Sequence, residues 1–329
     1  MAEGKKGGRA WLVALLVISV AANAAIVAYF LKKPPPPPDR EAENRALLAE
    51  IAKGVDPAPF ERYFPFGVYL ATEGFQRISQ LTGRSEIGLY EDAVEDIALH
   101  YANLTANQNV NAMPSREFFA DVLALYRAYG LKMWVNYQIP YWAEPDEVRR
   151  RIEESVGFFK DAPEILAWSF KDEPSTDQLL PMMRATKIVR ELDPKMPVMF
   201  VFNWDQALWE FAPYVPAAAY DYYVITIGDQ NPWQVRRNLE NTIAKAGGRN
   251  VWFVCQAHSY TGGAVPPSAA ELRLMTNHAV AAGAKGALYF LYQIMPYWDN
   301  PYIGRTLVSP FGEPSELWDE VGRQGLALR

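Results

Sequence analysis

From Phe60 onward the sequence keeps repeating one alternation, a short apolar run followed by a longer amphipathic stretch. The apolar runs are Phe66–Ala71, Leu104–Asn109, Lys132–Tyr137, Ile165–Phe170, Pro197–Phe202, Tyr222–Ile227, Val251–Gln256 and Ala287–Tyr292. Their length and spacing predict strands. The stretches between them carry helical periodicity, as in Arg116–Tyr129, Asp146–Phe159, Gln178–Leu192, Trp233–Ala246 and Ser268–Ala282. Stop signals agree: Gly130, Asp193-Pro194, Gly247-Gly248 and Gly283 each follow a helical stretch. Strand–helix alternation of this length predicts an α/β fold, a (β/α)8 barrel occupying residues 60–329. A doubly wound sheet is the alternative, but no Gly-x-Gly-x-x-Gly turn follows the first strand. The second strand is the poorest fit, because Asn107, Gln108 and Asn109 are weak strand formers.

Half the residues are hydrophobic and 21% are charged, so the chain as a whole is not disordered. The formal net charge is −6, and five basic residues lie within residues 1–33, which leaves the rest more acidic still. An acidic body is a poor match for a phosphate backbone, so no nucleic-acid partner is expected. Cys255 is the single cysteine and excludes an internal disulfide, and the three histidines are not clustered. No metal and no cofactor is expected.

The N-terminal part reads differently. Residues 1–10 are a short basic tail, and Trp11–Leu31 carries no charge. At ~1.5 Å per residue that run matches the roughly 30 Å hydrocarbon core of a bilayer. It is longer than a signal-peptide core of about 7–15 residues, so an uncleaved single-pass transmembrane anchor is expected. The barrel would then lie outside the cytoplasm. Residues 32–59 form a linker containing the five-proline run Pro34–Pro38 and a short amphipathic helix over Arg40–Lys53.

In a (β/α)8 barrel the site is built where the strands end. The predicted strand ends supply Tyr137, Asp172, Glu173, Asn203, Trp204, Asp229, Gln256, His258, Tyr292, Trp298 and Asp299. These are amides, carboxylates and aromatic rings. Aromatic faces stack on the C–H faces of sugar rings, and the polar groups hydrogen-bond hydroxyls, so a carbohydrate ligand is expected. Helix-capping roles for Asp172 and Glu173 are the plainer alternative, since Pro174-Ser175-Thr176 opens the next helical stretch.

The segment Trp168-Ser169-Phe170-Lys171-Asp172-Glu173-Pro174 resembles the fourth-strand Asn-Glu-Pro signature of the clan-A glycoside hydrolases. The resemblance covers roughly Phe64–Leu328. It implies a glycosidase in which Glu173 is the general acid/base, assisted by Asp172, with the other strand-end residues binding substrate. Two positions depart from the pattern: Asp172 replaces Asn, and Gln256 stands where the resemblance implies a nucleophilic Glu at strand seven. With Gln256 uncharged, three routes stay open. Another carboxylate such as Asp229 or Asp299 activates a water; the substrate supplies a 2-acetamido nucleophile oriented by Asp172; or the barrel binds carbohydrate without turnover, as a degenerate member of an envelope or polysaccharide assembly. The adjacent Asp172-Glu173 pair is also similar to the strand-four Asp-Glu of substrate-assisted hexosaminidases.

Overall fold

The computed structural model describes residues 39–328 apart from 141, 261–262 and 294–303. The proposed span Trp11–Leu31 lies outside the described residues. Among those described, no helix is long and apolar enough to cross a membrane.

Eight parallel strands form one sheet: β1 Phe66–Ala71, β2 Leu104–Gln108, β3 Lys132–Asn136, β4 Ile165–Ser169, β5 Phe200–Phe202, β6 Ala217–Asp221, β7 Asn250–Gln256 and β8 Ala287–Phe290. Their order, β4-β3-β2-β1-β8-β7-β6-β5, runs nearly full circle. Trp168 supplies the link between the two ends. Its N–H donates to the Pro197 carbonyl at 3.0 Å, and its own carbonyl accepts from Met199 at 3.0 Å. The result is a nearly closed α/β barrel, in agreement with the eightfold alternation of the sequence.

Two layers of core follow from the period-2 alternation of each strand. Tyr69, Ala106, Trp134, Ala167, Met199, Ala217, Ala219, Trp252 and Leu288 fill the lumen. Val68, Leu70, Met133, Val135, Trp168 and Phe253 face the helices. Inside, Trp134 and Trp252 meet edge to face at 6.0 Å, and Phe60 packs on Trp252 at 5.3 Å. The small residues of β6 complement these rings.

β2 forms despite its amides, with the oxygen of Asn107 bonded and its Nδ2 without a partner among the described residues. Asn107 is fully buried and accepts the Tyr126 hydroxyl at 3.0 Å, from the helix Arg116–Tyr129 behind it. Cys255, on β7, is buried beside Thr276, and burial pushes its thiol up.

Strand six departs from expectation. It is Ala217–Asp221, whereas the sequence pattern pointed to Tyr222–Ile227. Ala217-Ala218-Ala219 has low strand propensity, yet small residues fit where the lumen holds two indoles. The β-branched run Val224–Thr226 instead leads into a two-residue hairpin, Ile225–Thr226 against Asp229–Gln230.

A compact unit starts at Leu47. Within that unit the end of the helix Asp39–Lys53 is seated by Ile51, which is buried, and by Arg190, which donates to the Ile51 carbonyl at 2.7 Å.

Gly67 marks the closest approach of β1 and β2. A Cβ there would lie 1.7 Å from the Leu104 carbonyl oxygen, which is backbone and cannot rotate away. Overpacking typically costs about 1–3 kcal/mol, occasionally more. Gly67→Ala is expected to lose at least about 3 kcal/mol on that scale, read as a lowered midpoint of urea unfolding. An unchanged midpoint would show that the strand pair is not this tight.

Candidate active site

Three carboxyl groups gather at the C-terminal end of the barrel, Asp172 and Glu173 after β4 and Asp221 at the end of β6. β4 stops at Ser169, so residues 170–175 are free of the strict alternation that would turn adjacent side chains to opposite faces. Glu173 takes φ +47°, the left-handed region that non-glycine residues rarely occupy. This local turn brings Asp172 and Glu173 into one cluster. Backbone held in such a conformation is costly and collects at functional sites.

The hydrogen bonds are specific. Asn203 Nδ2 donates to Glu173 Oε2 at 2.7 Å, and Gln108 Nε2 donates to Asp172 Oδ2 at 3.2 Å. Asp221 is 6% exposed and stands next to Glu173, whose carboxyl acts on it directly. The buried Oδ1 of Asp221 has no partner among the described residues. Tyr69 and Tyr223 border the cluster. Burial first, and the surrounding carboxylate charges second, hold both phenols above their usual range. On the first-strand side Asn109, at φ +54°, donates to Glu73 at 2.9 Å.

Burial dominates the electrostatics. Desolvation pushes Asp172 up to about 6, the charge of Glu173 adds to this, and Lys171 and the Gln108 hydrogen bond oppose it. Asp221 is pushed well above the carboxylate range by its burial, then by the hydrogen bond and charge of Glu173, and then by Asp172. Among the described residues no group of His, Cys, Asp and Glu side chains could hold a metal ion.

Other predicted site residues are placed differently. Gln256 is fully buried, and its amide is a latch. Nε2 donates to the carbonyls of Ile225 and Val265 at 2.9 Å each, while Oε1 accepts from Ile225 N at 3.0 Å. A side chain so engaged has nothing left for a ligand, which corrects the expectation that it contacts substrate. His258 is buried with Nδ1 at 2.9 Å from the Phe290 carbonyl, and burial pushes its imidazole down to about 4, so it is neutral at pH 7. Tyr292 turns away from the carboxyl cluster and donates to Asp96 Oδ2 at 2.8 Å on the helix Glu86–Leu99. Asp229 lies exposed in the hairpin and accepts from Gln234 at 3.0 Å. Trp204 is 73% exposed at the rim. Tyr137 is half-buried against Trp168. Trp298 and Asp299 lie outside the described residues.

Asp221, Gln108, Tyr69 and Tyr223 were missed by strand-end reading. Asp221 was hidden by the five-residue error in strand six, and the run Tyr220-Asp221-Tyr222-Tyr223 was the available signal.

No family model matches the sequence, and no curated protein sequence is significantly similar to it. The structure is similar to glycoside hydrolase barrels. It matches a β-galactosidase from Bacillus circulans sp. alkalophilus with a TM-score of 0.65 at 10% identity, covering 82% of this chain and 57% of that one. It matches a β-galactosidase from the Antarctic haloarchaeon Halorubrum lacusprofundi with a TM-score of 0.62 at 14% identity, covering 80% and 58%. It matches the exo-β-1,4-mannosidase Op5Man5 from Opitutaceae bacterium strain TAV5 with a TM-score of 0.60 at 14% identity, covering 83% and 62%. This chain thus spans less than two thirds of each of these relatives. At such identities the likeness establishes the fold, a glycoside-hydrolase-like (β/α)8 barrel.

Two tests follow. Asp172 has a higher pKa in the folded protein than the ordinary 3.8 of an unfolded chain. The native state therefore favours its protonated form, and that stability is lost as pH rises through about 6. Asp172→Asn removes this cost. The gap in urea midpoint between variant and wild type is expected to open in the variant's favour between pH 4 and pH 7.5, and a gap independent of pH would contradict the burial. Gln256→Glu places acceptor oxygens against carbonyls. Leaving buried polar groups unpaired costs about 1–3 kcal/mol each, so the variant is expected to melt earlier and to gain no activity on aryl glycosides. A stable variant with new retaining activity would show that the latch is dispensable.

Proposed function

We propose that this chain is a glycoside hydrolase-like protein that takes a polysaccharide or oligosaccharide over the C-terminal end of its barrel, with Glu173 as general acid/base. The observation that carries this reading is the placement of Glu173. It follows β4 on a left-handed backbone, fixed by Asn203 and standing beside Asp172 and buried Asp221. The fold neighbours, which include β-galactosidases and a mannosidase, support a carbohydrate ligand.

The same cluster narrows the chemistry. A retaining pair of carboxyls stands about 5–5.5 Å apart and an inverting pair about 6.5–9.5 Å. Gln256, bonded to backbone carbonyls, supplies neither member of such a pair, and buried Asp221, itself pushed toward its protonated form, is a positioning residue beside Glu173. With Gln256 locked, the route that uses the groups gathered here is substrate assistance. Glu173 gives its proton to the leaving glycosidic oxygen as that C–O bond breaks. The carbonyl oxygen of a 2-acetamido group on the sugar forms a bond to C1, and Asp172 accepts from the acetamide N–H. Water then opens the cyclic intermediate at C1 and returns a proton to Glu173. A second reading, a barrel that binds carbohydrate without cleaving it, is favoured by the latch at Gln256, which leaves β7 without a carboxylate in the cleft.

Residues 11–31 would anchor the chain in a membrane and leave the barrel outside the cytoplasm. Resistance of the full chain to carbonate extraction tests this, and its release into the soluble fraction would overturn it.

Aryl glycosides with a 2-acetamido group and their 2-hydroxy counterparts separate the readings. Turnover confined to the acetamido series is expected, and efficient turnover of the 2-hydroxy series would remove substrate assistance. Binding on a glycan array without turnover of either would establish the second reading. General acid–base catalysis contributes about 10²–10⁴-fold, so Glu173→Gln is expected to lose activity by that factor with its melting temperature retained. An active Glu173→Gln protein would end the assignment.

A further inference from the structure

A cavity opens among the loops and helices that flank β3 and β4. It has a volume of about 250 Å³ and lies between the loop after β2, the residue that follows β3, and the helices Arg116–Tyr129 and Pro145–Phe159. Asn111, Arg116, Tyr137, Glu154 and Phe159 line it, together with Trp168 of β4, the strand that delivers Glu173. Its walls are thus mixed, with aromatic surface on one side and hydrogen-bonding groups on the other, and its size suits a single pyranose ring.

The charges around it do not cancel. Arg116, Arg150, Arg151 and Glu154 are the charged groups that act on the Tyr137 hydroxyl. Arg150 is spent on Glu154 at 2.7 Å and on Glu147 at 2.7 Å, and Arg151 on Glu147 at 2.6 Å. Arg116 is not spent in this way. Its guanidinium lies 5.5 Å over the Phe158 ring, and among the described residues no carboxylate is within ion-pair distance of it. Its charge acts on exposed Glu117, the next residue in the helix, but no carboxylate among the described residues forms an ion pair with it, so its N–H groups stand available at the wall of the cavity.

We propose that this cavity is a binding site for a carboxylated sugar ring, a uronate, with Arg116 as the anchor for its carboxylate. The guanidinium fork matches the two oxygens of a carboxylate in one plane. Tyr137 offers a ring face to the sugar C–H groups, and Glu154 and Asn111 reach ring hydroxyls. A single guanidinium outside any ion pair matches a singly charged carboxylate. A sulfated or phosphorylated sugar makes the same kind of contact but is not planar at its anion, and the phosphate carries more charge than this wall neutralises. The inference rests on the reading of the C-terminal end as a saccharide site, and it adds that the glycan contains acidic residues.

Titration calorimetry on the full chain with glucuronate, glucose and glucose 6-sulfate, alongside a panel of neutral oligosaccharides, tests this. Glucuronate is expected to bind and to bind more tightly than glucose. Arg116→Gln is expected to weaken glucuronate by about tenfold or more, the effect of losing a charge-assisted hydrogen bond, while Arg116→Lys recovers part of the loss. Arg116 is exposed in the first turn of its helix, so both variants should keep the wild-type melting temperature. Equal binding of glucose and glucuronate, or no effect of Arg116→Gln, would overturn the anchor. Glucose 6-sulfate binding more tightly than glucuronate would overturn the carboxylate. Neutral oligosaccharides binding where glucuronate does not would overturn this proposal and leave the broader reading standing, whereas no saccharide binding of any kind would remove both.

Discussion

Two indoles crossing inside the barrel set the level of everything above them. Trp134 from β3 and Trp252 from β7 come from opposite sides of the lumen and meet edge to face. Rings of that size leave room only for small partners, which is why Ala106, Ala167, Ala217 and Ala219 occupy the same layer. Phe60 packs on Trp252, and Tyr69 packs on Trp134 from the other direction. A lumen filled in this way is a dry floor. Carboxyl groups placed on a dry floor lose hydration, and desolvation is accordingly the largest cause of the raised pKa at both Asp172 and Asp221. The electrostatics of the site are therefore a consequence of core packing and not of a nearby charge alone.

Desolvation also bears on how the carboxyls are held. One buried carboxylate can stay ionised if donors surround it, but three within one cluster cannot all do so. Amides meet two members, Gln108 on Asp172 and Asn203 on Glu173, and the third, Asp221, is pushed well above the carboxylate range by its burial and by the carboxyls beside it. The left-handed backbone at Glu173 is part of the same arrangement, because a regular strand would have sent Asp172 and Glu173 to opposite faces. That backbone cost accompanies the seating of the Glu173 carboxyl on Asn203.

The barrel was legible in the sequence because hydrophobic periodicity reports burial, and burial is what builds both core layers. Seven of the strands fell on their predicted runs for that reason. β6 did not, since alanines chosen for their small volume carry no strand signal, while Val224–Thr226 carries one and forms only a hairpin. That slip concealed Asp221 and offered Asp229 in its place. Glu173 and Asp172 could be found from the fourth-strand motif. The fates of Gln256, His258 and Tyr292 could not, because each is decided by a partner far away in the chain: the Ile225 backbone, the Phe290 carbonyl and Asp96. Sequence position tells which end of a strand a residue occupies, but not whether its hydrogen bonds are already taken.

The latch at Gln256 and the carboxyl on β6 are two sides of one construction. After β6 the chain must turn back past the end of β7, and its backbone at Ile225 presents both a donor and an acceptor there. After β7 the Val265 carbonyl arrives at the same point. Only a side chain that donates and accepts together can close both loops, and an amide does so where a carboxylate would face two carbonyls. Once β7 is committed to holding these loops, a carboxyl that answers Glu173 has to come from a neighbouring strand. β6 is hydrogen-bonded to β7, its last residue is in register with Val254, and that residue is Asp221. The side chain that holds the loops and the buried carboxyl beside Glu173 thus sit on adjacent strands, one satisfied by backbone partners and the other pushed up by burial.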